Sequence, residues 1–291
     1  MRSIPHEQRT IVSPRSDEDR GGSLFVVGEP NWLSKVVPKR SLNFTQELGD
    51  DEVITSVLSP VGDGRLLISG SRHRSESVRV MSDAWLAQVS REGNRIWQTS
   101  FDRGEQETVQ SLMTTTDGGY VLAVNSSRYN KFGQGPSSLW LIRCDKQGNK
   151  LSEVIIPDAR INPSSGKNLA RCRNGFVVSY TKSQLPPISQ VPLESPSFDS
   201  WLGCFDSKMQ LVWKTQFKPT ANFSTPLLVE GPDDSLLLVG GRAEGVSTTI
   251  MDTSGRAISE IMVPASGSLL EPVDRCGIGQ DGHDPGRSHG F

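Results

Sequence analysis

The sequence lacks any long apolar run and carries almost no net charge. No stretch approaches the roughly 18 consecutive apolar residues that a membrane-spanning helix requires. Residues 1–22 lack the apolar core of a signal peptide, so the chain itself gives no sign of export. With a net charge of −2, the composition does not favour nucleic acid or an anionic membrane surface. We therefore expect no membrane insertion and no nucleic-acid partner.

Cysteine is scarce, and its spacing excludes the usual metal and disulfide frameworks. The four cysteines are Cys144, Cys172, Cys204 and Cys276, and no two of them form a C-x-x-C pair. Four cysteines in 291 residues are too few for a disulfide scaffold. We expect free thiols and predict neither a metal site nor a cofactor.

Histidine is also scarce, which limits nucleophilic catalysis. Of the four histidines, only His73 lies inside the patterned part of the chain beyond its first strand. A Ser-His-Asp triad would have to include it, and no nucleophile-elbow motif accompanies it. We predict no catalytic residues. Hydrolysis by a pair of carboxylates needs no histidine and stays open.

The chain does contain a repeat. The stretch "DAWLAQVSREGNRIWQTSF" (residues 83–101) returns as "SLWLIRCDKQGNKLSEVII" (138–156) and "DSWLGCFDSKMQLVWKTQF" (199–217). Aligned on Trp-Leu, each copy has two apolar segments separated by a polar turn, which predicts a β-hairpin. A fourth copy begins at Trp32. In a fifth, Ser247-Thr248 replaces Trp-Leu.

A second predicted hairpin precedes each of these, as in "TTTDGGYVLAVNSS" around Gly119. The unit therefore has four short strands, A to D, and the Trp anchors at 32, 85, 140 and 201 are 53, 55 and 61 residues apart. This period is typical of propeller blades, with Trp and Leu packed between neighbouring sheets. We predict an all-β propeller of about five four-stranded antiparallel blades, or part of a larger ring; a two-sheet sandwich is the competing architecture. The predicted blades span 7–48, 50–101, 105–156, 161–217 and 222–263, within one domain covering 7–263.

The C-terminal residues 264–291 have no repeat pattern. Residues Gly267–Val273 are a candidate closing strand, and we expect disorder beyond them. The G-x-G-x-x-G match at Gly277–Gly282 is not followed by a helix signal, so it does not indicate a dinucleotide site.

The repeat resembles one found in bacterial and archaeal β-propeller proteins of unassigned function. The shared features are the DGGY turn and the W-L-x-x-x-D-x-x-G-x-x-x-W pattern, and the C–D hairpin is also similar to blades of quinoprotein-like propellers. The resemblance covers about residues 7–263 and implies a propeller fold without specifying an activity. It also implies an extracytoplasmic location, whereas the chain's own N-terminus gives no support for export.

The segments between strands B and C differ in length. From the A–B turn to the Trp position there are 21 residues in blades 2 and 3 and 26 in blade 4, against 10 and 12 in blades 1 and 5. We predict long loops on one face of blades 2–4, where binding residues usually lie. The candidate ligand-binding residues are Arg72, His73, Arg74, Arg128, Tyr129 and Lys131.

These observations favour a non-catalytic binding or scaffold module that uses the long-loop face of blades 2–4 for a protein or carbohydrate ligand. The alternative is a carbohydrate-acting hydrolase or lyase, which requires two carboxylates 5–10 Å apart at the mouth of the central channel. A quinone-dependent oxidoreductase is a third reading, for which the sequence supplies no metal or aromatic stack.

Overall fold

The computed structural model describes most of the chain from residue 65 to residue 264, and strand backbones before that. The ranges described are 24–28, 32–36, 44–47, 52–58, 65–76, 79–90, 94–130, 133–161, 167–173, 175–183, 198–217, 226–231, 234–242 and 245–264. The candidate closing strand at Gly267–Val273 and the rest of the C-terminal segment lie outside these ranges.

The described residues form twenty strands, and every adjacent pair within a blade is antiparallel. Blade 1 contributes β1–β3; its predicted strand A falls outside the described residues. Strands β4 to β20 supply blades 2–5, with β12 and β13 dividing the inner strand of blade 4. The bounds are β1 Leu24–Gly28, β2 Trp32–Val36, β3 Phe44–Glu47, β4 Glu52–Leu58, β5 Leu66–Glu76, β6 Arg79–Val89, β7 Arg95–Phe101, β8 Gln106–Thr114, β9 Tyr120–Asn130, β10 Gly133–Cys144, β11 Lys150–Pro157, β12 Ala159–Arg160, β13 Leu169–Cys172, β14 Gly175–Ser183, β15 Phe198–Asp206, β16 Leu211–Phe217, β17 Leu227–Glu230, β18 Leu236–Arg242, β19 Gly245–Met251 and β20 Ala257–Pro264.

Successive blades contact one another through their inner strands. Strand β8 contacts β4 on one side and β13 on the other, and β13 contacts β17. A single parallel bridge, Ser82 to Gln106, joins the sheets of blades 2 and 3. This arrangement confirms the predicted all-β propeller fold. The extent of the domain stays a prediction.

Apolar side chains from neighbouring sheets form a separate core at each described junction. Trp85 and Trp140 are 0% and 1% exposed. Trp140 packs into the core between blades 2 and 3 together with Phe101, and Trp201 borders the core between blades 3 and 4. The predicted role of the repeated Trp as a wedge between blades is confirmed for Trp140 and Trp201.

A recurring aspartate shapes the turn between strands C and D. In blade 3, Asp145 Oδ1 accepts hydrogen bonds from the backbone N–H groups of Gln147 and Asn149, both at 2.9 Å. Asp206 and Asp252 make the same pair of bonds in blades 4 and 5. The side chain therefore replaces backbone partners in the turn, which explains why aspartate recurs at this position.

Two junctions are interlocked by a Trp from one blade and a Gly from the next. A Cβ atom on Gly148 would lie 2.6 Å from the ring of Trp97, and one on Gly255 would lie 2.5 Å from the ring of Trp213. Both glycines have positive φ angles, of 85° and 79°. Glycine is therefore required here both for the backbone conformation and for the space beside the ring.

The junction between blades 3 and 4 uses a different pair at the same two positions. Ser152 replaces the outer-strand Trp, and Met209 replaces the turn Gly while keeping a positive φ of 65°. Met209 is 4% exposed and belongs to the core of this junction. We infer that its side chain fills the space that a Trp ring occupies at the other two junctions.

A buried asparagine links three blades near their inner strands. Asn168 is fully buried; its Nδ2 donates to Ser179 Oγ at 3.0 Å and to the carbonyl of Pro226 at 3.2 Å. Its backbone N–H donates to Ser111 Oγ in blade 3 at 3.4 Å. Asn168 of blade 4 is thus hydrogen-bonded to both blade 3 and blade 5.

Cys144, Cys172 and Cys204 are free thiols, as expected, whereas Cys276 lies outside the described residues. In the part of the chain that the structure covers, there is no helix with the length and apolar character needed to cross a membrane.

The substitutions Ser152→Trp and Met209→Gly test the interlock. Alone, Ser152→Trp should cost about 1–3 kcal/mol by overpacking, and Met209→Gly about 2–5 kcal/mol by leaving a cavity. The double variant recreates the Trp–Gly pair and should lose less stability than the sum of the two. Urea unfolding of all four proteins gives the coupling free energy.

The control is the double variant of Ser152→Trp and Ser254→Gly, in which the second change affects a turn at another junction. Its loss of stability should equal the sum of the losses of the two single variants. Additive losses in the Ser152/Met209 cycle would show that the two side chains do not share this space.

Candidate functional site

Strands B and C of blades 2 and 3 extend beyond the rest of each sheet as two long hairpins on the same face. Strands β5 and β6 pair from Leu66–Val89 out to Glu76–Arg79, although the outer strand of that blade pairs only as far as Ala84. Strands β9 and β10 likewise pair out to Asn130–Gly133. The segments predicted as long loops in blades 2 and 3 are therefore continuations of strands B and C. The polar residues nearest the blades are buried in these hairpins, since Ser82, Asp83 and Ser126 are 1%, 7% and 0% exposed. The long segment of blade 4 falls largely on residues 184–197, outside the described ranges.

The structure places five of the six predicted binding residues on these hairpins. Arg72, His73 and Arg74 lie on β5, opposite Asp83, Ser82 and Met81. Arg128 and Tyr129 lie near the end of β9. Lys131 lies outside the described residues.

The two arginines whose side-chain contacts are described are paired with carboxylates. Arg74 Nη2 lies 2.7 Å from Asp83 Oδ1 and 3.0 Å from Asp102 Oδ1. Arg128 Nε donates to Glu105 Oε1 at 2.7 Å. The arginines thus tie each hairpin to the connection between blades 2 and 3, residues 102–105.

We call this group of side chains the seam network, since it lies where blades 2 and 3 meet. Its members are Arg74, Asp83, Asp102, Arg103, Glu105, Glu107, Ser126 and Arg128. Carboxylate oxygens of Asp83, Asp102 and Glu107 all lie within 4.8 Å of one another. Asp83 and Glu107 are buried, whereas the Asp102 side chain is 44% exposed.

Glu107 is the most deeply placed member of the network, with no exposed surface. Its Oε1 accepts from the backbone N–H of Glu105 at 3.2 Å and from Ser126 Oγ at 3.4 Å. Within the described residues, its Oε2 has no hydrogen-bond partner. Burial, together with the nearby charges of Asp102 and Asp83, raises the pKa of Glu107 to about 7. Near neutral pH this carboxyl group therefore keeps its proton part of the time.

The pKa values of the neighbouring Asp102 and Glu105 are shifted in the opposite direction. A hydrogen bond from the Gly104 backbone N–H, at 2.6 Å, and the pairing with Arg74 lower the pKa of Asp102. Burial opposes ionisation of Glu105, but hydrogen bonds from Ser126 and Arg128 outweigh it and lower the pKa of Glu105. The network thus combines ionised carboxylates held by arginines with one protonatable glutamate beneath them.

This geometry fits a structural ion network better than a hydrolytic or metal centre. Carboxyl groups of glycosidases are typically about 5–9.5 Å apart, with room for substrate or water between them. Here the oxygens are closer together and Glu107 is enclosed. Three carboxylates could hold a divalent cation, but the Arg74 guanidinium already bridges two of them.

Sequence reasoning missed the acidic half of the network. These residues do not belong to the repeated Asp position of the C–D turn, although Asp83 recurs as Asp199 and Glu107 as Glu52 in the aligned repeats. One signal was available: Glu107 shares its face of β8 with Val109 and Ser111, all fully buried. A glutamate on the buried face of a strand requires partners or a proton.

Comparison with known proteins adds little to this geometry. No protein-family model matches the chain, and no curated protein is significantly similar to it. Among solved structures, a GH32 β-fructofuranosidase of Bombyx mori is 14% identical with a TM-score of 0.44, over 86% of this chain. The chain spans 61% of the length of that enzyme.

A variant of the Synechocystis apocarotenoid oxygenase is 11% identical with a TM-score of 0.42. That match covers 84% of this chain and 70% of the oxygenase chain. Similarities at this level do not define the activity of the chain.

The protonation of Glu107 gives a testable pH dependence. Because its pKa is raised in the folded state, its stabilising contribution is present below its ordinary value near 4.5 and is lost as the pH rises through about 7. The Glu107→Gln variant has no carboxyl group to ionise at this position, so it should not lose this stability as the pH rises. Relative to the variant, the wild type should lose at most about 1.4 kcal/mol per pH unit between pH 4.5 and 7.

Glu105→Gln is the matched control with the opposite sign, because the pKa of Glu105 is lowered. This variant should be less stable than the wild type at neutral pH and approach it as the pH falls. Urea unfolding between pH 4 and 8 measures both. If the free energy of unfolding changed with pH in the same way for the wild type and for Glu107→Gln, the raised pKa of Glu107 would be contradicted.

Proposed function

We propose that this protein is a non-catalytic β-propeller binding module whose working surface is formed by the two long hairpins of blades 2 and 3. The observation that carries the proposal is that arginine–carboxylate pairs hold both hairpins to the connection between blades 2 and 3. Arg74 holds Asp83 and Asp102, and Arg128 holds Glu105. A rigid, projecting pair of hairpins loses little entropy when a ligand binds.

The side chain of Arg128 is 73% exposed although its Nε is fixed on Glu105. A guanidinium held in this way presents oriented donors to solvent, which suits hydroxyl or carbonyl acceptors on a ligand. It is therefore the residue of this surface that we expect to contribute most to binding.

The charges of the seam network determine the kind of ligand. Arg74, Arg103 and Arg128 face Asp83, Asp102 and Glu105, while Glu107 carries a proton part of the time. Because positive and negative groups balance, the surface suits a neutral carbohydrate or a polar protein surface better than a polyanion. Binding should accordingly depend only weakly on salt.

Hydrolysis of a carbohydrate is the second candidate, favoured by the opposite pKa shifts of Glu107 and Asp102. Such a pair could supply a general acid and an ionised partner. The enclosure of Glu107 counts against this reading, because a substrate would have to open the seam to reach it.

An array of neutral and uronate-containing oligosaccharides, followed by calorimetry, tests the carbohydrate form of the proposal. Arg128→Ala should weaken binding about tenfold, which corresponds to about 1.4 kcal/mol. The control is Arg173→Ala, an exposed arginine at the A–B turn on the opposite face, and it should leave binding unchanged.

Two results would count against the proposal. Binding that is insensitive to Arg128→Ala would place the ligand elsewhere. Release of reducing ends from the same oligosaccharides, abolished by Glu107→Gln, would favour the hydrolase.

A further inference from the structure

Two cysteines of blade 4 approach each other across the middle strand of their sheet. Cys172 ends β13 and Cys204 lies on β15, and both strands pair with β14. Their partners in the register are Gly175 and Val177, which are two residues apart on β14, so both thiols lie on the same face of the sheet. Gly175 has no side chain that would separate them. The two sulfur atoms are 3.5 Å apart.

The pair lines a cavity that reaches the surface of the protein. Cys204 is 5% exposed and Cys172 is half-buried, and both line a cavity of about 950 Å³. Asp117 and Thr253, two exposed turn residues of blades 3 and 5, border the same cavity. A small ion can therefore approach the sulfur atoms from solvent. Sequence spacing does not reveal this pair, because the two cysteines are 32 positions apart.

The arrangement suits a bridging ion better than a disulfide. For a disulfide, the sulfur atoms would have to close from 3.5 Å to about 2.05 Å. One strand separates the two backbones, and two strand spacings exceed the roughly 7 Å between Cα atoms beyond which the backbone would have to move. An ion that bonds each sulfur at about 2.3 Å requires no such approach, because sulfurs 3.5 Å apart form an angle of about 100° at the ion.

The donor atoms indicate which kind of ion fits. Thiolate sulfur is a soft ligand that favours Cu(I) and zinc. Zinc usually takes three or four protein ligands. Among the described residues, no further cysteine, histidine, aspartate or glutamate completes a group of three ligand atoms with these two sulfurs. A site with two sulfur ligands therefore suits a soft ion that accepts few ligands better than it suits zinc.

We propose that Cys172 and Cys204 bind one thiophilic monovalent cation of the Cu(I) type. Each Sγ–H gives up its proton to solvent as its sulfur bonds the ion, so one bound ion is held by two thiolates and releases two protons. Trp213 is the register partner of Cys204 on β16 and lines the same cavity. The site lies among the A–B and C–D turns rather than on the hairpin surface, and the inference does not depend on the proposed function.

Competition with a chromophoric Cu(I) chelator tests the proposal. The reduced full-length chain, kept under nitrogen, should remove one equivalent of Cu(I) from the chelator. Cys172→Ser and Cys204→Ala should each weaken this binding about 100-fold or more, because the remaining thiol loses the gain from a second linked ligand. The matched control is Cys144→Ala, which removes a buried thiol from the core between blades 2 and 3 and should leave Cu(I) binding unchanged.

Two measurements on the wild-type chain keep the test decisive if a cysteine variant does not fold. One equivalent of Cu(I) should protect Cys172 from alkylation by iodoacetamide, as measured by mass spectrometry of the digested chain. The same equivalent should quench part of the tryptophan fluorescence, because Trp213 lies opposite Cys204 on the neighbouring strand.

Any of three results would overturn the proposal. The chelator could keep all of its Cu(I), or both cysteine variants could bind Cu(I) as tightly as the wild type. Treatment with oxidised glutathione could also join Cys172 to Cys204 in a disulfide, which would show that the two sulfurs close directly on each other.

Discussion

Each blade of this protein is a sheet with two apolar faces, and covering both faces is the constraint on which the rest of the structure depends. An isolated four-stranded sheet leaves both faces in water, so a blade gains most of its stability from its neighbours. The large side chains at the Trp position meet this requirement at the described junctions of blades 2, 3 and 4. Around them, turns and outer strands vary in ways that preserve the fit between sheets.

The pairing of Ser152 with Met209 illustrates how that fit is maintained. Two junctions fill the outer space with a Trp against a Gly, and the third fills it from the opposite side with a Met. The volume is supplied by one blade or by the next, at the expense of an unfavourable φ at Met209. Packing between sheets is thus a property of residue pairs, which a single repeat cannot reveal.

The sequence was informative about the fold because strands and turns are local. The alternation around Trp140 and the turn at Asp145 specify a hairpin without reference to the rest of the chain. The seam network could not be predicted in the same way. Its members lie on β5, β6, the connection at 102–105, β8 and β9, and only the propeller arrangement brings Arg74 beside Asp102. The long segments of blades 2 and 3 were predicted as loops because they exceed the usual distance between the A–B turn and the Trp position, whereas the backbone continues the pairing of strands B and C through them.

Asn168 places contacts to both neighbouring blades in a single buried residue. In a linear stack, each unit senses only the two units that it touches, and stability is a sum of intrinsic and nearest-neighbour terms. Asn168 hydrogen-bonds Ser111 in blade 3 and Pro226 at the start of blade 5 while belonging to blade 4. Loss of blade 3 or of blade 5 would remove one of these hydrogen bonds, at a cost of about 0.5–1.5 kcal/mol. Blades 3, 4 and 5 are therefore expected to melt together as one cooperative unit rather than to fray from one end.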